Sequence, residues 1–393
     1  MPSAQAMESD PRTFDVVIVG AGPCGTSTAM HLLRRAPDLA RRTLVIDRAA
    51  FPRHKLCGGG LTGISQALLD RLDLDLVLNY VPIHEIEIRF ENQRTRYREP
   101  NAIKIIRRER FDAALVDAAR ERGAEIREGV GLTGMRVEDG CVVLETTQGQ
   151  LRARGVVAAD GAKSAVRRFA GLDGPSRVAR LIEILTPEDP ATTPEFVHHR
   201  VVFDFTAIKH GLQGYVWDFP SAVDGEPYMN RGVFDSRVLP DQPMADLKGI
   251  FAGYLSKRSI SLSEYELMGN PGRWFDPEAQ FSAPHVLLAG DAAGIEPLVS
   301  DGISCALWYG EVVAEELATA FESGDLSFAG YRDRLVAHPL GQHMARRTRA
   351  ARFLYKKRSR WAMRAVWFGM GLRTRLRSRG GPGWLTHSSA LEQ

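Results

Sequence analysis

The sequence predicts an α/β protein in three parts: a discontinuous domain on a parallel sheet, an inserted antiparallel sheet, and a basic helical C-terminal region. Three observations carry this. Apolar strands that run into glycine turns and then helices stand on both sides of residues 176–282, at FDVVIVGAGPCGTSTAMHLLRRA and at HVLLAGDAAG with DGISCALWYGEVVAEELATAF. Residues 176–282 instead alternate apolar and polar positions in short segments such as RVVFDF, GYVWDF and YMNRGVF, separated by Pro, Gly and Asp. From Tyr331 onward the pattern is helical and rich in arginine. The predicted boundaries are 12–80, 100–175 and 283–330 for the parallel-sheet domain, 81–99 with 176–282 for the inserted sheet, and 331–393 for the C-terminal region.

The elements follow in order. FDVVIVG reads as a buried strand; Asp15 and the glycines after it, with no basic segment in front, separate it from a secretion signal. The helix after it and RTLVIDR complete a βαβ opening. IHEIEIRF, residues 83–90, alternates Ile86, Ile88 and Phe90 and is expected to join the antiparallel sheet. IKIIRRERFDAALVDAARERG is a strand followed by a helix with Phe111, Leu115, Ala118 and Ala119 on one face. AEIRE, CVVLETT and LRARGVVAAD are further strands.

A chain of 393 residues with 44% hydrophobic residues has material for a large core. Its net charge of +3 hides an asymmetry: of 51 basic and 48 acidic residues, fourteen basic and one acidic, Glu392, fall in 334–393. An acidic body thus carries a basic tail. Cys24, Cys57, Cys141 and Cys305 have no metal-ligand spacing and are too few for a disulfide framework, so no metal is expected and a reducing, cytoplasmic setting is. No apolar run reaches the roughly 18 residues a membrane span needs.

Gly20-Ala21-Gly22-Pro23-Cys24-Gly25 has the spacing G-x-G-x-x-G between a strand and a helix, where backbone amides at a helix start can receive a pyrophosphate. Asp47, at the end of the next strand, stands where a carboxylate accepts hydrogen bonds from a ribose. These features allow NAD or FAD. HKLCGGGLTG repeats the glycine spacing at Gly58, Gly60 and Gly63, but no apolar strand precedes it. It is read as a loop whose glycines let backbone lie flat against a planar ligand.

The remaining motifs resemble those of the flavoprotein hydroxylase and reductase superfamily. LLAGDAAGIEPLVSDGI, residues 287–303, resembles its second FAD fingerprint around Asp291; R-x-x-F-D from Arg108 to Asp112 resembles its flavin-contacting arginine segment; AADGAKSAVRR resembles its Asp-Gly motif, although Asp160 is read as a turn cap. FPRHKLCGGGL and GYVWDFP, the latter matching Y-x-W-x-F-P at Tyr215, Trp217, Phe219 and Pro220, resemble the geranylgeranyl reductase family. The match departs at Leu212, where the family often has Pro, and at Asp301, in a turn often richer in Gly.

The resemblance implies a glutathione-reductase-like FAD-binding Rossmann domain with an inserted antiparallel substrate sheet and a helical C-terminal tail. Cofactor contacts carry over to Gly20, Ala21, Gly22 and Gly25, to Asp47 and Arg48, and to Cys57, Gly58 and Gly60. Arg108, Leu132, Asp291, Gly302 and Ile303 complete them. Tyr215, Trp217, Phe219 and Pro297 are expected at the substrate, with Cys57, Tyr215 and Trp217 as catalytic candidates and no dedicated general acid. The implied activity is reduction of carbon–carbon double bonds in an isoprenoid, a prenyl lipid or prenyl quinone, by hydride from reduced FAD. NAD(P)H or a protein electron donor would recharge the flavin, since a second Rossmann unit is lacking.

Two rivals stand beside it. One is an FAD-dependent monooxygenase or halogenase acting on an aromatic or lipophilic metabolite, although GYVWDFP lacks the first Trp and the Ile-Pro of the halogenase W-x-W-x-I-P. The other is a noncatalytic flavin-binding, membrane-associated protein. The tail has Leu354, Trp361, Ala365, Phe368 and Leu372 at helical spacing among cations. It is read either as an interfacial helix, residues 346–379, on anionic lipid at the inner membrane face, or as a helix packed on the acidic body. No nucleic acid is expected as a partner.

Overall fold

The computed structural model describes residues 13–174 and 177–356. In chain order the strands are β1 (Thr13–Val19), β2 (Thr43–Asp47), β3 (Gly60–Thr62), β4 (Tyr80–Phe90), β5 (Gln93–Ile106), β6 (Glu125–Glu128), β7 (Leu132–Glu138) and β8 (Cys141–Thr146). They continue with β9 (Gly149–Ala158), β10 (Val178–Pro187), β11 (Arg200–Asp204), β12 (Gly214–Val223), β13 (Glu226–Asp235), β14 (Met268–Arg273), β15 (Ser282–Ala283) and β16 (Val286–Leu288).

One sheet runs β15-β16-β9-β1-β2-β6, with β8 and β7 extending from β9. Its centre is parallel: β1 lies between β2 and β9, and β16 is parallel to β9. Helices cover this centre, which is why β1 and β2 are almost continuously apolar rather than alternating. The second sheet runs β14-β10-β13-β12-β11-β4-β5-β3 and is antiparallel except between β11 and β4. It is a mixed α/β fold in which a Rossmann-like parallel sheet is joined to a mostly antiparallel one.

Two helices bring their N-termini to the same place. Pro23–Arg35 starts directly after β1, with Pro23 at a first-turn position where its missing N–H costs nothing. It packs along the long helix Gly302–Ser323, where Ser27 Oγ donates to the Leu307 carbonyl at 2.7 Å. A Cβ on Gly310 would sit 2.3 Å from Ser27 Oγ, so the helices approach closely only because residue 310 is glycine.

The helices Tyr331–Ala337 and Pro339–Lys356 lie on the body. Tyr331, Leu335, Leu340 and Met344 join the core of the parallel-sheet part, and Ala351, Leu354 and Tyr355 join that of the antiparallel sheet. The first residues of the tail, 346–356, therefore follow the packed-helix reading: Arg347, Thr348, Ala351, Leu354 and Tyr355 are buried. The expected lipid-facing positions from Trp361 onward lie outside the described residues. Among the described residues no helix is long and apolar enough to cross a membrane.

Candidate flavin and substrate site

A cavity of about 910 Å³ opens between the two sheets. At one end it meets the start of the first helix, where Gly20, Gly22, Pro23 and Cys24 line it. Gly20 has φ +110°, and a Cβ there would lie 2.3 Å from the Ala159 carbonyl oxygen; a Cβ on Gly25 would lie 1.8 Å from the Gly20 oxygen. Both glycines are demanded by backbone packing. Asp47, at the end of β2, accepts from the Ala21 and Ala49 amides, each at 2.9 Å, which fixes its carboxylate at the cavity edge beside Arg48. Gly131 and Leu132 border the same end.

Farther along, Arg108 makes a two-pronged pair with the buried Asp112, Nε to Oδ1 and Nη2 to Oδ2 both at 2.8 Å. Arg53 Nη2 reaches the same carboxylate at 3.1 Å. Asp112 thus holds two cations at the cavity wall, and such bidentate geometry restricts the guanidinium plane as well as its position. The glycine loop follows. Gly59, at φ +77°, has its Cβ direction 2.1 Å from the Ile106 oxygen, and a Cβ on Gly58 would meet Phe219 Cδ2 at 2.9 Å. Gly59 N donates to Cys57 Sγ at 3.4 Å. Gly60 then opens β3, pairing with Ile105 of β5, so the loop feeds the antiparallel sheet.

The wall opposite is a single face of that sheet. Cross-strand partners in register are Tyr215, Phe234 and Leu181; Trp217, Gly232 and Glu183; and Phe219, Asn230 and Leu185. Directly opposed residues share a face. Trp217 lies over Gly232, where a Cβ would be 2.2 Å from the indole. Tyr215 donates its hydroxyl to the Val299 carbonyl at 2.5 Å, and Trp217 Nε1 donates to Asn230 Oδ1 at 2.7 Å.

The remaining wall is the loop before the second helix start. Asp301 caps Gly302–Ser323, accepting from Ser304 N at 3.3 Å and from Thr62 Oγ1 at 3.2 Å. Glu296, fully buried, accepts the amides of Leu298 (2.7 Å) and Asp301 (2.9 Å) and pairs with Arg347 Nη1 at 3.1 Å. The C-terminal helix therefore sets the shape of this loop. Asp291, Gly302 and Ile303 line the cavity beside it.

Of the residues singled out from sequence, Ala21, Gly25 and Pro297 do not line the cavity. Ala21 contributes its amide to Asp47, and Gly25 is a packing glycine. Pro297, expected at the substrate, is instead buried within the loop braced by Glu296. Asp160 has the capping role read from sequence: its Oδ2 accepts from the amides of Ala165 (2.7 Å) and Val166 (3.2 Å). Its Oδ1 lines the site without a partner. An orphaned acceptor, a glycine turn at the cavity edge and two converging helix N-termini together fit a ligand with polyhydroxyl and phosphate groups.

Sequence reasoning missed Glu183, which lines the cavity, and Asn230, which links Trp217 to the Cys57 carbonyl; ARLIEILTP carries one acid in an apolar strand, and that was the available signal. It likewise missed the bracing of the loop by Arg347.

The fold and cavity define a flavin-dependent oxidoreductase. The chain belongs to the FAD binding domain family, whose sequence model matches residues 13–217. It is 28% identical to digeranylgeranylglycerophospholipid reductase 3 of Methanosphaera stadtmanae, over 83% of each chain. Its fold is similar to the crystal structure of a geranylgeranyl bacteriochlorophyll reductase-like protein from Thermoplasma acidophilum (TM-score 0.74, 20% identity, 98% of this chain and 96% of that one). It is also similar to p-nitrophenol 4-monooxygenase from Pseudomonas putida (TM-score 0.66, 21% identity, 92% and 94%). The chain is thus a distant homologue of FAD-dependent geranylgeranyl reductases.

Proposed function

We propose that this protein is an FAD-dependent reductase that saturates carbon–carbon double bonds of an isoprenoid chain. One observation carries the reading: an aromatic and aliphatic sheet face, Leu181, Phe203, Tyr215, Trp217, Phe219 and Phe234, shares a cavity with the glycine loop and both helix N-termini. Such a wall suits a long apolar substrate, whose burial contributes about 25 cal/mol per Å² of apolar surface. When bound, FAD supplies two-electron hydride chemistry. The amides after Gly20 and Gly22 would receive its pyrophosphate, Asp47 a ribose and Asp291 the ribityl chain. Cys57, Gly58 and Gly60 would border the ring, with Arg108 held against it by Asp112. The sheet face excludes water and seats the alkene. Electrons would come from transiently bound NAD(P)H or a protein donor, and the part of 346–379 beyond residue 356 would hold the protein against anionic lipid.

The test is anaerobic incubation of photoreduced enzyme with a geranylgeranyl lipid or a prenyl quinone, followed by mass spectrometry. A product heavier by two hydrogens is expected. A product heavier by one oxygen atom, formed with substrate-dependent oxygen uptake in air, would replace this reading with a monooxygenase.

A further inference from the structure

Glu183 is the one carboxyl among the cavity-lining residues of β10, β11, β12 and β13; the others are Leu181, Phe203, Tyr215, Trp217, Phe219 and Phe234. It is 3% exposed. Buried acids elsewhere in the antiparallel sheet are compensated, Glu85 and Glu87 by Arg96 and Arg200 and Asp218 by Arg231 and Arg258, and Glu296 is paired with Arg347. Glu183 has no ion pair among the described residues, and its Oε2 has no hydrogen-bond partner. Its polar neighbours are the Asn230 side chain and the Cys57 backbone, with Arg107 and Lys55 the charged groups acting on it. Met268 of β14 stands opposite on its other side. An uncompensated acid in an apolar wall costs stability that a leucine would not, and such positions are where proton chemistry is found.

We propose that the Glu183 carboxylic acid is the proton donor of this enzyme's alkene reduction, an inference that rests on the reductase reading above. Its neighbours suit the role. Trp217 Nε1 holds the Asn230 Oδ1 at 2.7 Å, which turns Nδ2 toward the Cys57 carbonyl, at 3.4 Å, and toward Glu183. Glu183 lines the cavity together with Cys57, Gly58 and Gly59 of the glycine loop. In the reaction the alkene π bond is replaced by two C–H bonds. Bound reduced FAD would supply one carbon with a hydride, two electrons with one hydrogen, and would be left oxidised. The other receives the proton as the Glu183 O–H bond breaks, and the resulting carboxylate regains a proton from water. Burial raises the carboxyl to about 7, so about half of it holds its proton at neutral pH, while Asn230, the Cys57 amide, Arg107 and Lys55 pull in the opposite direction.

The test uses oxidised and photoreduced holoenzyme, with E183Q as the isosteric variant and E183D as a second that keeps the acid. Infrared difference spectra of oxidised wild type against E183Q should show a protonated-carboxyl band that titrates near neutral pH and belongs to residue 183. Anaerobic single turnover with a geranylgeranyl lipid should be slowed about 100-fold or more in E183Q, less in E183D, with flavin absorbance unchanged. Absence of the band, or equal single-turnover rates in wild type and E183Q, overturns the proton-donor role while leaving the reductase reading intact. A band present in a wild-type enzyme that reduces no prenyl chain overturns the reductase reading, and the role with it.

Discussion

Trp217 Nε1 donates to Asn230 Oδ1 at 2.7 Å, joining neighbouring strands diagonally beneath the cavity. The indole lies over Gly232 and the amide faces the glycine loop, so this bond links the aromatic wall to the backbone of Cys57.

Replacing Asn230 by Ala leaves a buried indole N–H without an acceptor. The expected loss is about 1–3 kcal/mol of stability, read as a lower denaturant midpoint, with a shifted tryptophan emission. An unchanged midpoint and emission would mean that the indole finds another acceptor.

Gly59→Ala and Gly60→Ala should separate sharply. The first puts a Cβ 2.1 Å from a backbone oxygen at φ +77°, whereas the second meets nothing closer than Ile103 Cγ2 at 3.4 Å. Gly59→Ala is expected to reduce FAD retention during gel filtration; Gly60→Ala should keep a stoichiometric flavin spectrum.

Cys57→Ser tests whether the thiol borders the flavin. The fold should survive, because Cys57 is only half-buried, while flavin absorbance or turnover changes. Identical spectra and rates would remove Cys57 from the site.

Arg347→Met should strand the buried Glu296 carboxylate. Breaking a buried pair from one side costs about 3–5 kcal/mol, and the loop that Glu296 braces should bind flavin more weakly. Thermal melting and FAD release measure both. Deletion of 357–393 spares this pair, so it is the appropriate variant for vesicle binding: weaker binding to anionic vesicles is expected, with the melting temperature kept.

The pH dependence of folding has a defined sign at Glu183. Its carboxyl, 4.5 when unperturbed, is raised to about 7 by burial, so the folded chain holds a proton that the unfolded chain releases. That contribution is complete below about 4.5 and is lost as pH rises through about 7, a change on the order of 3 kcal/mol. Gln cannot titrate, so wild-type stability relative to E183Q should fall between pH 5 and pH 8. A difference flat with pH would mean that the carboxyl is ionised in the folded protein.

What was legible in the sequence was local. A continuous apolar strand, a glycine turn and a helix at Pro23 follow from backbone sterics and periodicity, and so do the alternating aromatics of GYVWDFP. The family motifs singled out Asp47, Arg108 and Asp291, which the fold brings to one cavity. The second G-x-G-x-x-G follows no adjoining strand, as its sequence suggests, and its Gly60 opens β3 in the antiparallel sheet.

Register and long-range packing decided the rest. Glu183 faces Trp217 only through the pairing of β10 with β13 and β13 with β12, and a one-residue slip would have turned it away from the cavity. Pro297 is buried in a loop whose amides Glu296 accepts, and Glu296 takes its ion pair from Arg347, fifty-one residues later in the chain. The sequence alone determined an FAD-binding oxidoreductase with an alternating aromatic strand; the tertiary structure decided which acid stands unpaired in the cavity wall that strand helps to form, because the cost of burying a charge is set by neighbours that only folding assembles.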